Sequence, residues 1–392
     1  MANTLNVEQV STLLRSVLEQ ATGQTELAAL DTAQLLTIGQ KSLTTARDNV
    51  INAISQVISK TIFSAREYKR KFANLARDEN EWGNIVRKIA IVETPSDLRD
   101  NDYIPLTDGD SVDQYEISKP KAVELCFIGQ QTYEVAKTIF DTQLNTAFNS
   151  AGEFGSFMSA VFVYVYNKIE KIHEETARAT VSGFIAGKIA GDSSNVVHLL
   201  TEYNALTGLE LSAQDIYKPD NFAPFMKWVY SRIEQVSNLM TEYSTNFHTN
   251  LADGVIMRHT PKEYQNVYIY APLFYQTTSR VLADTYHESF LKLPGAEMVN
   301  FWQNIDEPDS IHVKTPQYLS ADGAIATASS DLSQNNVFGV ICDREAMGYS
   351  PVLDRTKTSP YNARGEYYNI FWKFNERHWL DFTENGVVFL LD

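Results

Sequence analysis

The feature that most constrains the fold is an apolar stripe that runs without interruption through the middle of the chain. Apolar side chains recur at steps of mostly three or four residues from about position 156 to 188, and charged side chains fall largely between them. The stripe comprises Phe162, Val165, Ile169, Ile172, Thr176, Ala179 and Phe184. Its β-branched start, AVFVYVY, would also suit a strand, but the continuous spacing favours one helix about 50 Å long. Helices in globular proteins average ~11–12 residues, so this chain must bury an unusually long helical face.

A glutamate and a histidine lie three residues apart on this predicted helix. Glu170 and His173 share a helical face, and Glu-x-x-His is the half-motif of di-iron sites in four-helix bundles. The nearest second half, Asp284-x-x-His287, has aspartate where glutamate is needed. The zinc-protease motif also fails, because Ala177 stands four residues after His173. We therefore expect no metal site, and we place Glu170 and His173 on the outer face of the helix.

Two other patterns approach known binding motifs and fall short of them. GFIAGKIA contains Gly183, Gly187 and Lys188, but it is one residue short of the phosphate-loop spacing and has isoleucine at the magnesium-binding position. Cys126 and Cys342 have no Cys or His neighbour at ligand spacing. A disulfide framework or zinc site is therefore unsupported, and we expect both cysteines to be buried.

The run ERHWLDF places Glu376, His378 and Asp381 close together, as a hydrolytic dyad would require. No motif ties a serine or cysteine nucleophile to them, so we expect an ordinary strand or turn surface. We predict that the protein is not an enzyme and has no catalytic, cofactor-binding or metal-binding residues. The net charge of −16 also argues against a protein whose main task is to grip phosphate.

The first third of the chain predicts helices followed by a long excursion. Residues 1 to about 80 have narrow apolar stripes typical of amphipathic helices. A basic cluster near their end is either a contact with an acidic partner or nucleic acid, or a solvated helix end. It comprises Arg66, Lys69, Arg70 and Lys71. The acidic segment Glu93–Pro120 is then expected to be a long loop or hairpin that turns at Asp108-Gly109, with IVRKIAIV and AVELCFI as its strands.

The remaining pattern mixes helices and strands irregularly, which favours an α+β fold. A second helix is predicted over Pro224–Phe247, with Asn221 as its cap. Strand-like runs follow at Val267–Tyr275 and Asn336–Asp343. The chain closes with GEYYNIFWKFNERHWL and GVVFLLD, which we expect to form an aromatic strand pair.

This order of elements resembles the major capsid proteins of tailed bacteriophages, which share the Johnson fold. FDTQLNTAFNSAGEFGSFMSAVFVYVYN is similar to the entry into the long helix of the short-tailed Bacillus-phage subgroup. The segment from VFGVICDREAMGYSP to ENGVVFLL is similar to that subgroup's closing segment, with SPYNARG at its turn. The resemblance covers roughly residues 40–392 and rests on order and pattern.

The resemblance implies four regions, named here for later use. They are an N-terminal arm at 1–84, an extended loop (E-loop) at 85–135, a peripheral domain at 136–250 and 351–392, and an axial domain at 251–350. The long helix at about 156–188 would be the spine helix of the peripheral domain. An arm and a long hairpin cannot bury their apolar faces within one subunit, so they are expected to lie on neighbouring copies.

The resemblance also implies the partners. They are other copies in pentamers and hexamers, a scaffolding protein, a portal protein, and packaged DNA that touches the inner face without sequence-specific binding. We expect synthesis in the cytoplasm of the host bacterium, a final place in the virion shell, and no membrane, because no run reaches the ~18 apolar residues of a span. Two alternatives stay open: an encapsulin-like protein compartment, and a helical di-iron oxidoreductase built on Glu170 and His173.

Overall fold

The computed structural model describes most of the chain from residue 71 onward and short pieces before it. The described residues are 12, 15–19, 37–38, 49, 71–76, 86–92, 108, 115, 121–127, 130–143, 151–191, 193–251, 255–281, 296–320 and 323–392. Arg66, Lys69, Arg70, most of Glu93–Pro120, and the pair Asp284 and His287 lie outside them, as does most of the predicted arm. In the described part of the chain, no helix is both long and apolar enough to cross a membrane.

Helices and strands are mixed along the chain, as the α+β prediction requires. From residue 151 onward, the described α-helices are α1 Ala151–Gly191, α2 Leu199–Thr207, α3 Pro219–Leu239 and α4 Ala271–Val281. The described residues 12, 15–19, 37–38, 49 and 141–143 are helical as well. The strands before residue 300 are β1 Val86–Val92, β2 Lys121–Phe127, β3 Gln130–Phe140, β4 Val196–His198, β5 Gln265–Tyr270 and β6 Ala296–Val299. Those after it are β7 Ile311–Val313, β8 Gln317–Leu319, β9 Ile325–Thr327, β10 Leu332–Gln334, β11 Val337–Asp343, β12 Met347–Thr358, β13 Tyr367–Leu380 and β14 Gly386–Leu390.

The long central helix is confirmed and is longer than predicted, because α1 spans 41 residues. Its C-terminal half is buried on several sides, including Ala177, Val181, Phe184 and Ile185, each 0% exposed. One member of the predicted stripe, Ala179, is exposed. The buried face of α1 is therefore rotated relative to the predicted apolar stripe. It also contains polar side chains, and their partners lie elsewhere in the chain.

A five-stranded sheet with the order β4-β14-β11-β5-β6 forms the centre of the molecule. The inner pairs β14–β11 and β11–β5 are antiparallel, whereas the outer pairs β14–β4 and β5–β6 are parallel. Every residue of β11 and β14 is buried. Both faces of the sheet are covered, which explains why VFGVICD and GVVFL read as continuous apolar runs without alternation.

The side chains of the central sheet alternate between two cores. Val387 and Phe389 of β14 pack with α2, α3 and α4 on one face. Val388 and Leu390 pack with the C-terminal half of α1 on the other. Each fully buried large apolar side chain contributes about 1.5–3 kcal/mol through its removal from water, so these two layers hold the sheet between them.

A separate three-stranded sheet, β12-β13-β3, packs against the middle of α1, where His173 and Thr176 contact Glu376 of β13. The antiparallel pairing of β13 with β3 runs from Tyr367↔Phe140 to Arg377↔Gln130. β13 is the strand predicted from GEYYNIFWKFNERHWL. Its predicted partner was wrong, however, because β14 belongs to the central sheet and pairs with β11 and β4.

Two other boundaries differ from prediction. α3 begins at Pro219, which stands in the first turn, and it ends at Leu239, so Pro224 lies inside the helix and not at its start. The run Val267–Tyr275 is half strand and half helix, since β5 ends at Tyr270 and α4 begins at Ala271. The second error arises because apolar spacing over a few residues does not distinguish a buried strand from a buried helix.

Candidate functional site

The hairpin of β1 and β2 exposes two isoleucine side chains on one of its faces. Its strands are those predicted from IVRKIAIV and AVELCFI, and they pair antiparallel from Val86↔Phe127 to Val92↔Lys121. Ile89 and Ile91 are 69% and 68% exposed, whereas Ala90 and Val92, which alternate with them along the strand, are buried. The strand alternation thus gives the hairpin an outward apolar face and an inward face that packs on Ile256.

Lys88 lies on the inward face of β1 and joins the hairpin to the corner between β13 and β14. Its Nζ donates a hydrogen bond of 2.9 Å to Asp381 Oδ2 and a second one to Glu384 Oε1. Glu345 Oε2 lies 3.7 Å away. The Asp381 and Glu384 side chains are 1% and 7% exposed. A cation and two carboxylates therefore meet where water is largely excluded, and such contacts are stronger than exposed ion pairs.

Burial and the neighbouring charges shift the pKa values of these groups in opposite directions. Burial opposes the charged form of Lys88, but the nearby Asp381 and Glu384 carboxylates outweigh it and raise the pKa of Lys88. Burial also raises the pKa of Glu384, and Lys88 and Arg258 only partly offset this effect. The ammonium group is therefore held in its charged form, and Glu384 relies on the two cations for its own ionisation.

The corner that receives Lys88 is itself organised by hydrogen bonds. Asp381 Oδ1 accepts from the Thr383 backbone N–H at 2.9 Å and from its hydroxyl at 2.6 Å. Arg258 Nη2 lies 3.1 Å from Glu384 Oε1. The hairpin is thus attached to a rigid turn and to the segment around residue 258.

A buried histidine lies behind the same corner. His248 Nε2 is 2.6 Å from the Ile256 carbonyl oxygen, and its Nδ1 is 3.0 Å from Asn385 Oδ1. Burial lowers the pKa of His248 despite these two oxygens. Through these two contacts, His248 joins the turn at Asn385 to the segment that carries Ile256 and Arg258.

The structure places His173 inside the fold, so the prediction of an outward-facing His173 was wrong. His173 is 8% exposed, and its Nδ1 lies 2.5 Å from Oε1 of Glu376 on β13. Thr176 Oγ1 donates to Glu376 Oε2 at 2.5 Å. Glu170 is half-buried on α1. The described residues contain no group of three or more metal-ligating side chains.

The run ERHWLDF is buried, in contrast to the predicted surface position. Glu376 is 0% exposed and Asp381 is 2% exposed. They have different partners, since Glu376 contacts His173 of α1 and Asp381 contacts Lys88 of β1. His378 is half-buried, and burial lowers its pKa. Glu376 and Asp381 therefore connect the end of β13 and the turn after it to other elements of the fold.

The glycines of GFIAGKIA serve close packing. A Cβ atom at Gly187 would lie 2.7 Å from the Gln317 carbonyl oxygen and closer still to the Phe382 ring. One at Gly191 would lie 2.9 Å from the Leu319 carbonyl oxygen. Lys188 between them is fully buried. β8 can therefore approach α1 at backbone distance only because these helix positions have no side chain.

The two cysteines differ in environment. Cys342 is buried in β11, and burial raises its pKa. Cys126 is exposed on β2, so the prediction that it is buried was wrong. It lies on the outward face of the hairpin opposite Arg87. The strand period of two explains this difference, because it directs Cys126 away from Leu125 and Phe127.

The sequence interpretation missed Lys88. The signal was present in VRKIAIV, where alternation puts Lys88 on the same face as Ala90 and Val92. A lysine on an apolar strand face needs a buried partner. That partner lies about 300 positions later in the sequence, where no local pattern could have identified it.

Comparisons with known proteins agree with this architecture. Residues 11–390 match the family model described as Phi29-like phage major capsid protein. No curated protein matches the chain significantly. The chain is similar to "Capsid structure of Staphylococcus phage Andhra", with a TM-score of 0.55 and 12% identity over 85% of this chain and 87% of that chain.

A second similar structure comes from bacteriophage P68. It is described as "Structure of head fiber and inner core protein gp22 of native bacteriophage P68" and matches with a TM-score of 0.53 and 12% identity, over 85% of this chain and 87% of that chain. At such identities the two structures bear on the fold alone. They confirm the prediction of a Johnson capsid fold.

Proposed function

Because the chain belongs to the Phi29-like phage major capsid proteins, we propose that many copies of it form an icosahedral shell around a double-stranded DNA genome. The observation behind this proposal is the family match, which spans residues 11–390 and so nearly the whole chain. As a major capsid protein it is a structural component of the virion that assembles with copies of itself. Pentamers and hexamers are the units from which an icosahedral shell of one repeated chain is closed.

The hairpin is the element that we assign to contacts between subunits. Its outward face exposes Ile89 and Ile91, flanked by Arg87 and Glu124, whose side chains pair at 2.5 Å. Exposed apolar patches of this kind mark interaction sites. The E-loop at 85–135 would lie on a neighbouring copy through this face. In the arm at 1–84, Val17, Leu18, Phe72 and Leu75 are buried within the subunit itself, so these four residues do not meet the expectation that the arm buries its apolar faces on neighbouring copies.

The remaining chain forms the body of the subunit. The peripheral domain takes 136–250 and 351–392, with α1 as its spine helix, and the axial domain takes 251–350. The central sheet draws β4 and β14 from the first and β5, β6 and β11 from the second. The two domains would therefore share one core and move as a single body.

The charge of the chain supports a shell that does not adhere to its contents. A net charge of −16 repels the phosphate backbone, so packaged DNA would touch the inner face without sequence-specific binding. A scaffolding protein and a portal protein would guide assembly in the cytoplasm of the host bacterium. We assign no catalytic step to the chain, since Glu376, His173 and Asp381 all have partners that join elements of the fold.

Electron microscopy of the expressed full-length chain tests the proposal. Together with a scaffolding protein encoded beside it, the chain is expected to form closed shells of uniform diameter. Tubes or sheets would support self-association of the chain but contradict its closure into an icosahedral shell. A protein that remains monomeric under all assembly conditions would overturn the proposal.

A further inference from the structure

Among the described residues, the hairpin touches the body of the subunit through few contacts. On the β1 side, Ala90 and Val92 form a small apolar cluster with Ile256, Val123 and Leu251. On the β2 side, an open cavity of about 350 Å³ separates Leu125 and Phe127 from the end of β13 and from β8. If only the side chains on the β1 side held the hairpin, it could rotate about β1. The cavity on the β2 side provides no close packing that would oppose this rotation.

Lys88 is placed to prevent that rotation. Its ammonium group reaches across from β1 to Asp381 and Glu384, and both carboxylates belong to the turn between β13 and β14. Asp381 also lines the cavity. The charges near the contact are two cations, Lys88 and Arg258, and three carboxylates, of which Glu345 is exposed.

We infer that Lys88 is a positioning residue, and that its attachment to Asp381 and Glu384 sets the angle at which the β1–β2 hairpin leaves the body. Without the ammonium group, two buried carboxylates would face each other with Arg258 as their near cation. Repulsion and entering water would then separate the hairpin from the turn. This inference rests on the proposed function only in its consequence for assembly, since the angle itself is a property of the single subunit.

A distance measurement on the full-length subunit tests the inference. Cys126 is exposed on β2 and Cys342 is buried, so a spin label added to the folded protein marks the hairpin at Cys126. Lys227→Cys supplies the second label on α3, where the side chain is exposed. Double electron–electron resonance then reports the distribution of distances between hairpin and body.

We expect Lys88→Met to broaden this distribution and Lys88→Arg to leave it narrow, because arginine retains the charge. Arg87→Met is the matched control, since it removes the neighbouring cation on the outward face, whose partner Glu124 belongs to the hairpin itself. If Lys88→Met does not fold, Glu384→Gln removes one buried carboxylate charge and is expected to broaden the distribution to a smaller extent. The inference would be overturned if the distance distribution stayed narrow in both Lys88→Met and Glu384→Gln. It would also be overturned if Arg87→Met broadened the distribution as much as Lys88→Met does.

Shell formation by the same variants separates this inference from the proposed function. We expect Lys88→Met to lower the yield of closed shells several-fold relative to the unchanged chain and to Lys88→Arg, which retains the charge. A broadened distance distribution together with a normal yield of shells would support the positioning role of Lys88 and contradict the role of the hairpin in assembly.

Discussion

Glu376 illustrates how a residue of a type common in active sites can have a structural role. It is fully buried on β13, accepts from Thr176, and lies 2.5 Å from His173, so its carboxylate joins the three-stranded sheet to α1. The rings of Tyr349 and Phe374 lie 6.0 and 6.2 Å from the His173 ring. A carboxylate enclosed in this way has no space for a substrate, and its partners account for both of its oxygens.

Replacement of Glu376 by alanine is therefore expected to destabilise the subunit by about 3–5 kcal/mol. The change leaves a cavity, and it also leaves buried polar groups without their hydrogen-bond acceptor. Glu134→Ala is the matched control, because it removes an exposed carboxylate 3.0 Å from Lys373 on the same sheet. Exposed pairs contribute less than about 1 kcal/mol. Denaturant unfolding of both variants checks the difference, and equal losses would contradict the structural role of Glu376.

At the scale of one element, α1 combines a long apolar face with positions where side chains are excluded. Gly183, Gly187 and Gly191 recur every four residues and so lie along one side of the helix. They face Leu380, Phe382 and the backbone of β8. Glycine lowers helix stability by about 1 kcal/mol relative to alanine at an interior position. The helix tolerates this cost because the close approach of β8 and Phe382 contributes packing in return.

Gly187→Ala is expected to lower the stability of the subunit by about 1–3 kcal/mol, because the new methyl group would overlap the Phe382 ring and the Gln317 carbonyl oxygen. Gly183→Ala is the matched change on the same helix. Its Cβ would lie 3.3 Å from the flexible end of Leu380, so the gain in helix propensity is expected to offset the contact. Thermal unfolding of the two variants should separate them, and a stabilised Gly187→Ala would show that β8 does not pack as described.

At the scale of the whole molecule, net charge opposes the self-association that the function requires. With a charge of −16, two subunits repel each other at a distance. Apolar contacts such as those of Ile89 and Ile91 act only at short range and are indifferent to added salt at moderate concentrations. Assembly therefore depends on how far the repulsion is screened.

Self-association of the full-length chain is expected to increase as ionic strength rises from about 20 mM to about 0.5 M, because the screening length falls from tens of ångströms to a few. Sedimentation velocity at fixed protein concentration measures the shift from monomer to larger species. If association weakened steadily with added salt instead, complementary charged patches and not apolar faces would be the main source of subunit contacts.

Local periodicity predicted the elements in which one pattern of apolar side chains continues over many residues. The long helix, the two hairpin strands, β11 and β13 could all be identified from the sequence for this reason. β12 was missed, since Pro351 and a register shift between Pro351 and Leu353 interrupt its pattern. Its strand conformation depends on pairing with β13 along nearly its whole length.

The sequence by itself determined that the chain has a very long amphipathic helix, an acidic excursion between two apolar strands, and an order of elements like that of phage capsid proteins. The tertiary structure alone decided which strands pair, which polar residues are buried, and how the hairpin is attached. His173 and Glu376 are 203 positions apart, and Lys88 and Asp381 are 293 apart. Such pairs form only when the chain has folded, because their free energy comes from the exclusion of water by residues distant in sequence.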